Sequence, residues 1–216
     1  MARYIGPVCR LCRRAGEKLF LKGQRCYSPK CAVERRNFAP GAHGKGGSSG
    51  GQGRSDRESD YAKQLKAKQK ARWIYGMLER QFRRYFGAAQ RQRGLTGLNM
   101  LQILECRFDN VIYRMGLADS RAQARQIVNH GHFAVNGINT DIPSMILKPG
   151  DTITVRESSR NEIFFKQLPE MSEQRTCAVW LDRDLKGLSG RVVRIPERPE
   201  IDGNLNEQLI VEFYSR

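Results

Sequence analysis

The chain has 216 residues, 39% hydrophobic and 28% charged, which allows one to two domains and a modest core. Its formal charge of +16 is unevenly placed: residues 1–100 hold 23 Lys and Arg against 6 acidic residues, a balance of +17, and residues 101–216 hold 15 against 16. No apolar run approaches the roughly 20 residues of a membrane span, and Met1-Ala2-Arg3-Tyr4-Ile5-Gly6-Pro7 lacks the apolar core of a secretory signal, so neither a membrane-embedded nor a secreted protein is expected.

Four of the six cysteines, Cys9, Cys12, Cys26 and Cys31, fall in the first 31 residues with the spacing C-x2-C-x13-C-x4-C. Two close pairs across a short span suit tetrahedral coordination, because each pair supplies two thiolates from one tight turn. Zn2+ is the expected ion, since four cysteines satisfy a closed structural site; an iron–sulfur cluster takes the same donors and stays open as the alternative. Two disulfides are the competing reading, and the reducing compartment expected without a secretory signal disfavours them. Residues 17–23, between the pairs, suit a small hairpin or loop. Arg10, Arg13, Arg14, Arg25 and Lys30 crowd the cluster and are expected to favour thiolate over thiol. Cys106 and Cys177 stand alone in apolar patterns and read as core.

Positions 41–53 contain seven glycines and read as a flexible or extended segment. Gly44-Lys45-Gly46 lacks the Ser or Thr of a Walker loop, and no apolar strand precedes it. A linker over 46–58 is the plain reading, although an extended basic strip laid on RNA is compatible with the same residues. Ser59-Asp60 then opens a helix that carries Tyr61, Ala62 and Leu65 beside Lys63, Lys66, Lys68, Lys70 and Arg72. Ile74, Met77, Leu78, Gln81, Phe82 and Tyr85 recur at three and four residues, a helical period. Trp73 and Phe86 widen that apolar face, while Arg80, Arg83 and Arg84 occupy others. The aromatics read as core rather than as base-stacking platforms.

A half-chain at +17 repels itself unless a polyanion neutralises it. Inside cells that is usually nucleic acid, whose condensed counterions Lys and Arg displace. An anionic lipid surface is the rival, but position 2 is not Gly and no Cys-a-a-X motif closes the chain.

Thr96 is a plausible N-cap for a helix with Leu98, Leu101, Leu104, Phe108, Val111, Ile112 and Met115 at helical spacing, and Gly116 suits its C-terminal turn. Ser120-Arg121-Ala122-Gln123 has the form of a capping box, so a second helix runs to about Asn129, where Gly131 stops it. Asn136-Gly137 between apolar runs signals a hairpin. Lys148-Pro149-Gly150-Asp151 is another turn, and Thr152–Val155 alternates as a strand. Arg107 and Arg114 share one side of the first helix, and Arg121 and Arg125 share one side of the second. Asn129, His130 and His132 follow where the chain bends into the hairpin. Such a surface can hold structured RNA by shape and phosphate contact; a satisfied turn residue is the plainer reading of either histidine alone.

Ser159-Arg160-Asn161-Glu162 suits the start of a short helix with Ile163, Phe164 and Leu168. Val179–Leu181 and Arg191–Ile195 read as strand-like pieces, and Pro196 and Pro199 mark a loop. The segment 205–216 is apolar enough to dock, and periodicity leaves strand or helix open.

Arg107-Phe108-Asp109-Asn110-Val111-Ile112-Tyr113-Arg114-Met115-Gly116, Ser120-Arg121-Ala122-Gln123-Ala124-Arg125-Gln126, His130-Gly131-His132 and Val135-Asn136-Gly137 together resemble the RNA-binding module named after small ribosomal subunit protein four. Pseudouridine synthases, tyrosyl-tRNA synthetases and a heat-shock RNA-binding protein carry similar copies. The remainder resembles the bacterial ribosomal family nearly end to end: the first seven residues, Cys26-Tyr27-Ser28-Pro29-Lys30-Cys31, Pro40-Gly41-Ala42-His43-Gly44, residues 75–86 from Tyr75 to Phe86, and Asn206-Glu207-Gln208-Leu209-Ile210-Val211-Glu212-Phe213-Tyr214-Ser215-Arg216.

The resemblance implies a primary binder of small-subunit ribosomal RNA that docks on a five-way helical junction in the 5′ domain early in assembly. It further implies contact with small-subunit proteins five and three, a place lining the channel by which messenger RNA enters, and an influence on decoding accuracy in the cytoplasmic ribosome. The implied fold is α+β: a four-cysteine segment over 1–45, a linker, a helical domain from 59–97 and 196–216, and an inserted α/β domain over 98–195 containing the helix–hairpin module at about 106–166. The C-terminal segment is then a helix, and the intact cysteine set places the chain in the metal-binding branch. The Gly/Ser-rich stretch 46–53 departs from the more basic linker often found there.

Candidate RNA contacts are Arg3, Arg10, Arg13, Arg14, Lys22, Arg35, Arg36 and His43 in the N-terminal segment. Lys63, Lys66, Lys70, Arg72, Arg80, Arg83 and Arg84 belong to the helical part, and Arg107, Arg114, Arg121, Arg125, Asn129, His130 and His132 to the module. An enzyme built on this module would need a catalytic domain, and removing 1–53 and 96–165 leaves no acid/base pair or nucleophile in a recognisable setting. A free regulatory RNA binder and an RNA-modification factor are the alternatives: turnover on RNA would support the second, absence from purified small subunits the first.

Overall fold

The computed structural model describes residues 3–41, 44, 58–173, 175–201 and 205–215. The chain divides into two compact units, residues 1–97 with 204–216 and residues 98–203. The linker expected at 46–58 lies outside the described residues save for Glu58, as does His43.

The first unit starts with two short helices, α1 (Cys9–Ala15) and α2 (Ala32–Arg35), joined by a loop containing a 3-10 turn at Gly23–Cys26. Helix α3 (Asp60–Ile74) opens where expected, with the Ala62 N–H donating to Ser59 Oγ at 3.3 Å. The apolar period from Ile74 to Phe86 does not make one rod. Helix α3 ends at Tyr75 and Gly76, whose φ of +63° is left-handed, and Met77 N–H caps back onto Arg72 O at 3.0 Å. Helix α4 (Glu79–Gln90) then buries Phe82, Phe86 and Ala89, spaced for one face, and exposes Arg80, Arg83 and Arg84. The C-terminal segment is helix α10 (Glu207–Tyr214), capped by Asn206 and packed on α3.

Helix α5 (Thr96–Glu105) starts with the last two residues of the first unit's leading segment and continues into the second, where α6 (Phe108–Arg114) follows; the sequence suggested a single helix. Thr96 itself is helical. The rod breaks at Cys106 and Arg107 because the backbone there pairs with a distant loop: Phe108 N–H donates to Met145 O at 2.8 Å, Asp109 N–H to Pro143 O at 3.1 Å, and Leu147 N–H to Cys106 O at 2.8 Å. Gly116 follows α6 at φ +76°. Helix α7 (Arg121–Asn129) is capped by Ser120 Oγ, which accepts from Gln123 N–H. The Gln123 side chain accepts from Asp119 N–H at 2.7 Å rather than from the cap residue, so only half of the capping box forms as read.

The hairpin joins β1 (Phe133–Val135) to β2 (Ile138–Asn139) through Asn136 and Gly137 at φ +51° and +79°, the left-handed pair of a two-residue turn. Asn136 also bonds Asp151 and the Thr152 N–H, each at 2.9 Å, which ties this turn to the one at Lys148–Asp151. With β3 (Thr152–Val155), β4 (Leu181–Asp184) and β5 (Ser189–Val192) the strands form one antiparallel sheet in the order β2-β1-β3-β5-β4. The apolar pieces at 179–181 and 191–195 are thus only partly strand. Helices α8 (Glu157–Arg160) and α9 (Ile163–Glu173) lie between β3 and β4 in the chain. Phe108, Ile112, Met115, Phe133, Phe165 and Trp180 fill the core, with Phe133 set edge-on to Phe108 and to Phe165 at centroid distances of 6.0 Å.

Candidate nucleic-acid interface

In the first unit α1 supplies Cys9 and Cys12, the 3-10 turn supplies Cys26, and Cys31 is the residue before α2. All four are free thiols; Cys12, Cys26 and Cys31 are buried and Cys9 is half-buried. Burial pushes the Cys12 thiol up against a hydrogen bond from the Leu19 backbone, and Cys26, Cys9 and Cys31 push it further. Burial also raises Cys26, helped by Cys31 and Cys9 and opposed by the Lys22 backbone and the Lys18 charge. At Cys12 and Cys26 the expectation that surrounding arginines favour thiolate is therefore corrected: burial is the largest influence, and it raises both thiols. Among the described residues no three or more His, Cys, Asp or Glu side chains are drawn to metal-holding separations. The donor chemistry fits a soft or borderline metal, and the thiols stand within electrostatic range of one another.

Arg3, Arg10, Arg14, Lys22, Arg35 and Arg36 are exposed around this head. Arg13 is not a free contact: its Nε donates to Phe38 O at 2.9 Å and its guanidinium lies over the Phe38 ring at 4.8 Å, pinning the segment after α2. On α3, Lys63 and Lys66 are exposed and ion-paired with Asp60 and Glu58. Lys70 and Arg72 are half-buried and paired with Glu17 and Glu79. Arg91 and Arg93, exposed just after α4, were passed over in the sequence, although the run Arg91-Gln92-Arg93-Gly94 in the basic half signals them.

The second unit requires a larger correction. Arg107 is fully buried and clasps Asp109 through two bonds, Nε to Oδ1 at 3.1 Å and Nη2 to Oδ2 at 2.7 Å. Arg125, also buried, reaches the same Oδ2 at 2.9 Å. Buried Glu105 receives Arg114 at 2.8 and 2.7 Å and Asn110 Nδ2 at 2.8 Å. Arg121 donates to Asn110 Oδ1 at 2.7 Å and covers the Tyr113 ring at 4.6 Å. The four arginines thus enclose two carboxylates rather than forming an open basic face, because a guanidinium leaves water only when its charge is matched. Arg107 and Arg125 are structural; Arg114 and Arg121 keep partial access.

What α7 and the residue after it expose is two amides and an imidazole: Gln126, Asn129 and His130, beside Ala122. His132 is half-buried, its Nδ1 3.0 Å from Ser159 Oγ and its ring edge-on to Phe165, so it braces α8 and α9. Amides, imidazole and partly shielded guanidiniums hydrogen-bond phosphates and 2′-hydroxyls without a strong point charge.

A helix pair leading into a small antiparallel sheet, joined in one chain to a strongly basic helical unit, defines an RNA-binding protein. Residues 3–105 match the family described as Ribosomal protein S4/S9 N-terminal domain, and residues 106–153 match the S4 domain. The chain is 55% identical to small ribosomal subunit protein uS4 of Natranaerobius thermophilus, 54% to that of Heliobacterium modesticaldum and 53% to that of Thermus thermophilus, each over the whole of both chains. The chain belongs to the uS4 family of small ribosomal subunit proteins.

Proposed function

We propose that this protein is a structural, rRNA-binding constituent of the small subunit of the cytoplasmic ribosome. The carrying observation is the full-length likeness at 53–55% identity to uS4 proteins, supported by a basic unit that requires a polyanion. The finer reading is docking on a helical junction of the 5′ domain during assembly, with small-subunit proteins five and three and the mRNA channel as neighbours. It is a binding role; among the described residues the buried carboxylates Glu105 and Asp109 are engaged by arginines and serve as ion-pair hubs.

The test is binding to 5′-domain RNA titrated with salt against excess non-cognate structured RNA. Affinity that survives competition supports the reading, whereas equal loss to any RNA leaves only generic binding.

Within the same reading Cys9, Cys12, Cys26 and Cys31 hold Zn2+, or less favourably an iron–sulfur cluster. The metal would supply charge neutralisation and cross-linking of a segment with little core of its own. Their spacing and the burial of Cys12, Cys26 and Cys31 support this. One Zn2+ per chain is expected by elemental analysis of the purified protein. Cys9→Ser with Cys31→Ser should release it and open roughly the first 45 residues to protease while sparing the second unit.

A further inference from the structure

The turn between the two cysteine pairs has an inner and an outer side. Inward it buries Leu19, 3% exposed, and Cys26, 7% exposed. Outward it carries Phe20 and Tyr27, which stack on each other with centroids 5.0 Å apart and planes 30° from parallel. Both rings reach the surface, Tyr27 with 71% of its area exposed and Phe20 with 37%. Phe20 holds a φ of +51°, a conformation that a bulky side chain adopts only under strain, and such strain concentrates at functional sites. Cations surround the pair. No acidic residue lies between Glu17 and Glu34, and those two are engaged by Lys70 and Lys18. Lys22, Arg25 and Lys30, each within three residues of a ring, are exposed and enter no ion pair among the described residues. The two units differ in the same sense. Among the described residues every exposed aromatic, Tyr4, Phe20, Tyr27 and Tyr61, belongs to the basic unit, and the large apolar side chains exposed on the second unit are all aliphatic.

These features select a ligand by exclusion. A cationic partner suits the ring faces but is repelled by Lys22, Arg25 and Lys30. An acidic segment matches the cations and leaves the rings in water, and an aliphatic surface covers the rings and leaves the cations unmatched. A planar base flanked by phosphates engages both.

We propose that Tyr27, backed by Phe20, is a platform on which one unstacked base of the bound RNA stacks, with Lys22, Arg25 and Lys30 meeting the phosphates beside it. The inference rests on the RNA-binding reading and deepens it, from backbone contact to capture of a base by a particular side chain.

The test uses the full-length protein and 5′-domain RNA, read by affinity, by its salt dependence and by ultraviolet cross-linking with the modified residue identified by mass spectrometry. A cross-link at Tyr27 is expected in the wild-type complex. Tyr27→Leu should weaken binding about tenfold without changing the log–log salt slope, because no phosphate contact is lost. Tyr27→Phe keeps the ring and should bind as the wild type does. Replacing Lys22, Arg25 and Lys30 with Gln should instead make the slope shallower. If Tyr27→Leu opens the first 45 residues to protease, Phe20→Asn, whose side chain tolerates the left-handed backbone, takes its place, and if both do, the wild-type cross-link decides. Wild-type binding with no cross-link at Tyr27 and undiminished affinity in Tyr27→Leu would overturn the platform and leave the RNA-binding reading standing. A loss in Tyr27→Phe as large as in Tyr27→Leu would also overturn it, since the ring is intact there. Failure of the wild type to bind would overturn both.

Discussion

Asp109 sits on the first turn of α6 and is 5% exposed, with a guanidinium on either flank: Arg107 from the residue before the helix and Arg125 from α7. Removing its charge leaves two buried cations facing a neutral amide. Asp109→Asn should therefore cost about 3–5 kcal/mol, seen as a lower denaturant midpoint for the second unit. Cys106, one residue from this network, is a buried thiol pushed up to about 12 by burial and by the Glu105 charge. In the unfolded chain it ionises near 9.0, so between those values the folded state binds the extra proton and stability falls as pH rises. At pH 8 the folded thiol stays protonated. Site-resolved alkylation should find Cys106 unreactive in folded protein and labelled once it unfolds. The sequence placed Cys106 in the core by its apolar neighbours, but nothing local distinguished a buried arginine from an exposed one. A four-residue spacing places Arg121 and Arg125 on one helical face without saying whether that face meets water or Asp109.

At the scale of elements, α10 is held to the first unit by chemistry drawn from opposite ends of the chain. Tyr214 Oη donates to Glu79 Oε1 at 2.7 Å, and Gln64 Nε2 donates to Glu212 at 2.9 Å. The Tyr214 ring meets Phe86 at 4.7 Å, and Ile210 is fully buried. Glu79 also receives Lys68, a lysine only 4% exposed. Burial works to raise the Glu79 carboxyl, but its bonds from Lys68 and Tyr214, with the charges of Lys68 and Arg72, hold it below its ordinary value. Its stabilisation is thus present above the ordinary carboxylate range and lost as pH falls through the lowered value. Burial and the Glu79 bond raise Tyr214, so the tyrosine contribution is lost as pH rises past the ordinary phenol range. Tyr214→Phe should cost about 1 kcal/mol and Tyr214→Ala about 3–5 kcal/mol. Faster amide exchange in α3 and α10 is the measurement that checks both. Gly97 allows the close approach of α10: a Cβ there would stand 2.9 Å from Glu207 Cβ.

At the scale of the whole molecule the charge divides with the units. Residues 1–97 and 204–216 carry 24 Lys and Arg against 8 acidic residues; residues 98–203 carry 14 of each. The salt dependence of RNA binding should therefore originate in the first unit. Replacing exposed Arg80, Arg83 and Arg84 with Gln should shallow the log–log salt slope by about 0.7–0.9 for each phosphate that these arginines neutralise. Replacing Asn129 and His130 with Ala should weaken binding with little change of slope. An unchanged slope in the arginine variant would remove α4 from the interface.

The sequence by itself determined the features set by near neighbours. These were the four-cysteine spacing, the basic half, the Ser59 and Ser120 caps, the Asn136-Gly137 turn and a family likeness covering the chain from end to end. Each depends on a few consecutive residues whose conformational or chemical preference is intrinsic. Only the tertiary structure decided the break between α5 and α6, which a loop some 40 residues away imposes through backbone pairing. It also decided the merging of hairpin and late strands into one sheet, and the fate of the charges. Whether an arginine faces water or clasps a buried carboxylate depends on which distant carboxylate the fold delivers. The cost of desolvating an unpaired charge then enforces the match.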